Sequence, residues 1–191
     1  MIVVGGLDLE TTGLEQEKGH RIIEAALVLY SLEDKRRLGD YTVRINPGRS
    51  IDPAAQAVHG IGIEDLVGCP TWEEVAPKLS MLLGKCNYVV AHNGEGFDAP
   101  FVVREFIRAG VSVPPINLVD TMLQGRWATP DGAVPNLGAM CFACGVDYDK
   151  TKAHAALYDV ERMMECFFSQ VDRGFFTLPT KPFELPKEKA K

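Results

Sequence analysis

Apolar positions change their spacing along the chain, which divides it into a strand-rich first part and a part where helices and strands alternate. Residues 2–9 form an apolar run that ends ahead of Gly13, and residues 21–31 are apolar almost throughout. Both read as strands, the second buried on both faces. Residues 40–46 alternate in polarity and stop at Pro47-Gly48, which reads as a third strand. Short connections predict an antiparallel meander. Residues 53–59 followed by Gly60 predict one or two helical turns. Thr71-Trp72-Glu73-Glu74 is a capping box for a helix to about residue 83. Pro77 lies inside it, where its ring and missing N–H predict a bend or a late start. Strands are expected at 87–92 and 116–119, and helices at 99–109, 120–128, 136–144 and 156–171. This order predicts an α/β fold, a mixed sheet with helices packed on it. Residues 1–174 read as one domain. Residues 175–191, rich in proline and lysine, read as an extended or disordered tail.

Composition narrows the function classes. Of 191 residues, 46% are hydrophobic and 24% charged, which excludes disorder of the whole chain. The apolar runs are short and interrupted by charge, so no membrane span is expected. The N-terminus reads as no signal peptide, and the expected compartment is the cytoplasm. A net charge of −6 argues against a protein that coats nucleic acid by charge alone. It leaves room for an enzyme that holds a strand end through metal ions, the largest local charges in such a site. Five cysteines read as free thiols. Cys141 and Cys144 form a lone C-x-x-C inside an apolar helical stretch, and read as two core thiols.

Three short motifs carry chemistry. Asp8 and Glu10 stand two apart at a strand end, so both side chains share a face. Two adjacent carboxylates call for a cation between them, and a hard divalent ion such as Mg²⁺ or Mn²⁺ suits the site. In residues 89–98 a strand ends in His92, Asn93 and two glycines, with Asp98 near a helix start. His154 and Asp159 are five apart. That is wrong for two groups on one helix face, but right for a loop histidine ahead of a helical aspartate. Together, four carboxylates and a histidine supply a two-metal site and a general base.

In this combination the sequence resembles the DnaQ-like 3′→5′ exonucleases of the DEDDh type. That family includes the proofreading epsilon subunit of bacterial DNA polymerase III and the three-prime repair exonucleases. The likeness covers about residues 1–171. It is carried by LDLETTG at 7–13, INPGRSIDPAAQAVHGI at 45–61, AHNGEGFDAPF at 91–101, LVDTM at 118–122 and HAALYDV at 154–160. It implies an RNase H-like fold, a five-stranded mixed sheet flanked by helices. It implies that Asp8, Glu10 and Asp159 hold one ion, that Asp8 and Asp98 serve a second, and that His154 deprotonates the attacking water. Thr11, Thr12 and Leu14 are then expected against the terminal nucleotide, with His59 and Asn93 lining the same pocket. The implied substrate is nucleic acid with a free 3′ end, DNA ahead of RNA, and the implied cofactor is two Mg²⁺ or Mn²⁺ ions.

Departures from the epsilon pattern are informative. Five residues separate His92 from Asp98 where epsilon-type sequences have four, a spacing closer to the three-prime repair exonucleases. Gly5-Gly6 replaces bulky residues in the first strand, and reads as close packing or a bulge. The longer C-terminal segment through which epsilon subunits reach a polymerase has no expected counterpart, so polymerase association is not indicated, and no oligomer signature is evident. Three other functions compete: RNA 3′-end trimming by the same site, a non-catalytic 3′-end-binding module, and a haloacid-dehalogenase-type phosphatase. Glu10 in place of a second aspartate, and the His154/Asp159 pair, speak against the phosphatase.

Overall fold

A computed structural model of the chain describes residues 1–186. Strands β1 (Val3–Thr11), β2 (Ile22–Ser31) and β3 (Arg37–Arg44) form the expected antiparallel meander. Strands β4 (Tyr88–Ala91) and β5 (Leu118–Asp120) add parallel to β1, which gives a five-stranded mixed sheet in the order β3-β2-β1-β4-β5. The helices are α1 (Pro53–His59), α2 (Trp72–Leu83), α3 (Asp98–Arg108), α4 (Thr121–Gln124), α5 (Leu137–Cys144) and α6 (Ala156–Gln170).

Alternation along β1 sorts its side chains between two cores. Leu7 and Leu9 join Trp72 and Leu79 of α2 and Phe101 and Phe106 of α3. Val4 joins Val160, Met163 and Phe167 of α6 on the opposite face. Gly6, Asp8 and Glu10 share the parity of Val4, so the acidic pair stands on the α6 side.

The capping box holds, with the Thr71 N–H donating to Glu74 Oε2 at 2.7 Å. The helix starts at Trp72 and continues through Pro77 to Leu83. A proline inside a helix costs about 3 kcal/mol. Burial of Trp72, Val75, Leu79 and Leu83 contributes roughly 1.5–3 kcal/mol each and outweighs it. The helix expected over 120–128 divides instead into α4 and a 3₁₀ turn at Gly125–Ala128. Gly125 lies against the Met140 side chain, where a Cβ would collide.

Gly5-Gly6 is close packing and not a bulge; the register shift in β1 falls between Glu10 and Thr11. A Cβ on Gly6 would lie 2.7 Å from Met164 Cγ and 2.8 Å from Val160 Cγ1. The missing side chain therefore lets α6 press directly on β1.

Residues 175–186 have no helix or strand, yet they are anchored to the domain. Phe176 is only 3% exposed and joins the α6 core. The Thr177 N–H donates to Gln124 Oε1, and the Phe183 N–H to the Ile116 carbonyl, each at 2.7 Å. The core thus runs past the boundary expected at residue 174, because aromatic side chains beyond it have apolar surface to cover. Residues 187–191 of the expected tail lie outside the described residues.

Gly6→Ala tests the helix–strand contact. The stiff Val160 branch cannot swing aside, so overpacking should destabilise the fold by about 1–3 kcal/mol. It should also lower activity by moving α6 and the aspartate it carries. Urea unfolding and a nuclease assay check both; wild-type values in both would show that the close approach is incidental.

Candidate active site

Four carboxylates from three elements meet at the C-terminal end of β1. Asp8 and Glu10 come from β1, Asp98 opens α3, and Asp159 lies in the first turn of α6. Asp98 and Asp159 are buried, at 2% and 7% exposed. Burial drives the Asp8 carboxyl well above the usual range, and Asp159 and then Glu24 push it further. Burial, followed by Asp8, raises Glu10 to about 9. Asp98 is raised for the same two reasons, and its Oδ1 has no hydrogen-bond partner among the described residues. The charges acting on Asp8 and Asp98 are all carboxylates.

Hard oxygen donors, buried and without a cation, are the right chemistry for a divalent ion. Among the described residues no three His, Cys, Asp or Glu side chains are already arranged as a metal cage. Asp8, Glu10, Asp98 and Asp159 fit the group in kind, and Asp98 Oδ1 is the clearest vacant donor.

Asp159 is held from two sides. The Tyr148 hydroxyl donates to its Oδ1 at 3.0 Å, and the His154 backbone N–H to its Oδ2 at 2.8 Å. These bonds oppose the burial that raises its pKa. His154 is exposed, in the loop just before α6, with φ of 63°. Its imidazole acts electrostatically on both Asp159 and His59.

Beside the carboxylates lies a cavity of about 330 Å³ lined by Glu10, Thr11, Leu14, Val58, His59 and Phe97 among others. Leu14 and Val58 are 78% and 54% exposed, apolar surface left uncovered at its rim. His59 Nδ1 accepts from the Ile61 N–H at 3.0 Å, and burial lowers its pKa.

Two expected pocket residues do other work. Thr12 is fully buried, and its hydroxyl meets His20 Nδ1 and the Arg21 N–H, each at 3.0 Å. It braces the turn that carries Leu14. Asn93 is absent from the cavity wall; it has φ of 68°, and its carbonyl accepts the Phe97 N–H at 2.9 Å. It shapes the loop leading to Asp98. His92 is taken up in scaffolding, with its Nδ1 meeting Thr121 Oγ1 at 3.0 Å and its Nε2 the Pro135 carbonyl at 3.1 Å.

Several residues escaped the motif reading. Asp120, 1% exposed, accepts from the N–H groups of Asn93, Glu95, Met122 and Leu123, and so ties the 93–97 loop to α4. Its signal was present in LVDTM, but nothing local assigns it that duty. Glu24 faces Glu10 across the β1–β2 ladder and pairs with Arg44 at 3.1 Å. Phe97 and Tyr148 carried no distinguishing pattern.

The crowding makes stability depend on pH. Glu10 rises from 4.5 in the unfolded chain to about 9 in the fold, so the fold holds its proton more tightly. The resulting stability is complete below the lower value and is lost as pH climbs through the higher one. In chelator, unfolding free energy should fall from mildly acidic pH toward pH ~9, and Glu10→Gln should flatten that slope. Equal slopes in the two proteins would show that the cleft does not strain this carboxylate.

Comparison with known proteins bears on the same residues. The sequence matches the exonuclease family RNase_T over residues 6–167. It is 33% identical over 172 residues to the DNA polymerase III subunit epsilon of Escherichia coli K12, which covers 85% of this chain and 69% of that one. The chain spans 64–69% of the length of the first curated relatives it matches. Among solved structures, E. coli exonuclease I in complex with a dT13 oligonucleotide superposes with a TM-score of 0.76 at 16% identity, over 92% of this chain and 43% of that one. The nuclease domain of 3′hExo, a DEDDh family member bound to rAMP, gives 0.72 at 18% identity, over 94% and 96%. At such identities the likeness is one of fold, and that fold is RNase H-like. Exonucleases of this kind use divalent metal ions. The acidic cleft, the match over residues 6–167 and the epsilon relatives lead to one conclusion: this chain belongs to the RNase_T family and is a DnaQ-like 3′→5′ exonuclease.

Proposed function

We propose that the protein removes nucleotides from the 3′ end of single-stranded or frayed DNA, releasing nucleoside 5′-monophosphates with the help of two Mg²⁺ or Mn²⁺ ions. One observation carries this reading. Four clustered carboxylates stand beside a nucleoside-sized cavity, with His154 in the loop that orients one of them. Asp8, Glu10, Asp98 and Asp159 are the residues that would hold the ions. When bound, such ions neutralise the phosphodiester and stabilise the attacking and leaving oxygens.

The chain's own residues supply the rest. Leu14, Val58 and Phe97 offer apolar faces for the terminal base, and Thr11 and His59 line the wall beside it. Thr12 and Asn93 support this pocket from behind by fixing the turns that carry Leu14 and Phe97. His154 accepts the proton of the attacking water. Its exposed ring can exchange that proton with solvent, while its backbone N–H keeps Asp159 oriented.

A digestion panel of labelled single-stranded DNA, duplex DNA and RNA, with Mg²⁺, Mn²⁺ or chelator, tests the reading. Release of 5′-mononucleotides from single-stranded DNA, dependent on a divalent ion, is expected. Inactivity on DNA with turnover of RNA would reassign the substrate, and binding without cleavage would make this a 3′-end-binding module.

His154→Ala should lower turnover by about 10²–10⁴-fold and leave strand binding intact. The acidic limb of the wild-type pH–rate profile should disappear in the mutant. An unchanged limb with near-normal rate would leave His154 a bystander.

A further inference from the structure

Two walls of the cavity beside the carboxylates come from separate pieces of chain. Leu14 and Glu15 belong to the turn after β1, and Val58 and His59 to α1. No residue of α1 is buried, so apolar packing does not seat this helix against the turn. Ile61, just beyond it, is buried and anchors its C-terminal end. At its N-terminal end stands Asp52, the N-cap residue. An N-cap aspartate ordinarily accepts from the first N–H groups of its own helix. This side chain makes no such bond, and its Oδ2 lies 3.4 Å from His20 Nε2 instead.

We propose that His20 is a positioning residue, a polar clamp that holds the turn after β1 to α1 and so fixes the width of the pocket for the terminal nucleotide. The clamp is a closed ring of contacts. The Thr12 hydroxyl donates to His20 Nδ1 at 3.0 Å, His20 Nε2 turns to Asp52, and the Asp52 N–H donates back to the Thr12 carbonyl at 2.9 Å. The Arg21 N–H already donates to Thr12 Oγ1. That suits the hydroxyl as donor to Nδ1 and puts the imidazole hydrogen on Nε2, facing Asp52.

The surroundings of His20 suit this duty. It is only 7% exposed, and Gly13 makes room for it, since a Cβ there would collide with the imidazole. The ring borders the cavity, yet both of its nitrogens are engaged by protein groups. His20 therefore acts through Thr12 and Asp52 and not by bonding the nucleotide itself. The inference rests on reading this cavity as the nucleotide pocket. A pocket whose walls part loses contacts made in the ground state and the transition state alike, which raises KM and leaves kcat in place. The ions fall to Asp8, Glu10, Asp98 and Asp159, none of which belongs to the clamp.

Calorimetry on the full chain tests this, with Mn²⁺ alone probing the carboxylates and thymidine 5′-monophosphate plus Mn²⁺ probing the pocket. A steady-state nuclease assay separates KM from kcat. His20→Ala should weaken nucleotide binding and raise KM for single-stranded DNA by about tenfold, with kcat within about twofold and Mn²⁺ binding unchanged. Asp52→Ala, made at a half-exposed side chain, should do the same. Asp52→Asn keeps an oxygen for Nε2 and should recover most of the loss. The double alanine variant should be no weaker than either single one, because both remove the same contact. Wild-type nucleotide affinity in His20→Ala or Asp52→Ala, or losses that add in the double variant, would overturn the clamp alone. A wild type that takes up Mn²⁺ but no nucleotide would overturn the pocket reading, and the clamp with it.

Discussion

Four carboxylates lie within one another's fields in a partly dry cleft, and the rest of the molecule has to hold them there. Burial pushes each toward its protonated form, and neighbouring carboxylates push Asp8, Glu10 and Asp98 further. Such a cluster disperses unless its backbones are fixed by forces that have nothing to do with it. The two apolar cores supply those forces. One clamps α2 and α3 to a face of the sheet, and the other clamps α5 and α6 to the opposite face. Asp98 and Asp159 are thereby brought to the same strand end from different helices.

The α6 contact is a close one. Because Gly6 has no side chain, Val160 and Met164 settle onto the β1 backbone. Asp159 precedes Val160 and so comes down beside Asp8. Two hydrogen bonds, from Tyr148 and from the His154 N–H, then fix its carboxylate. A residue without a Cβ thus decides how closely a helix approaches, and the helix decides where a carboxylate stands.

Polar scaffolding does the equivalent work in the loops. Asp120 gathers four N–H groups around one carboxylate, and Thr12 closes the turn after β1 against His20. Cations are kept for other duties. Arg21 and Arg108 pair with the buried Glu105, and Arg44 with Glu24. The cleft is left acidic, which suits recruitment of divalent ions and, through them, of a polyanion.

Much of this was legible along the chain, because it depends on local periodicity. Alternation in β1 placed Asp8 and Glu10 on one face before any fold was known. The capping box at Thr71 and the five-residue step from His154 to Asp159 likewise follow from helix and strand geometry. The sequence by itself determined the strand meander, the acidic residues and the order in which they arrive. Tertiary structure alone decided that Thr12 and Asn93 brace the pocket while Phe97 and Val58 line it, since facing a cavity is a property of two packed elements. It alone gave Asp120 its caps, set Cys166 against Cys141, and buried Phe176 beyond the expected domain end. These depend on contacts between residues far apart in the chain, for which no local spacing carries a signal.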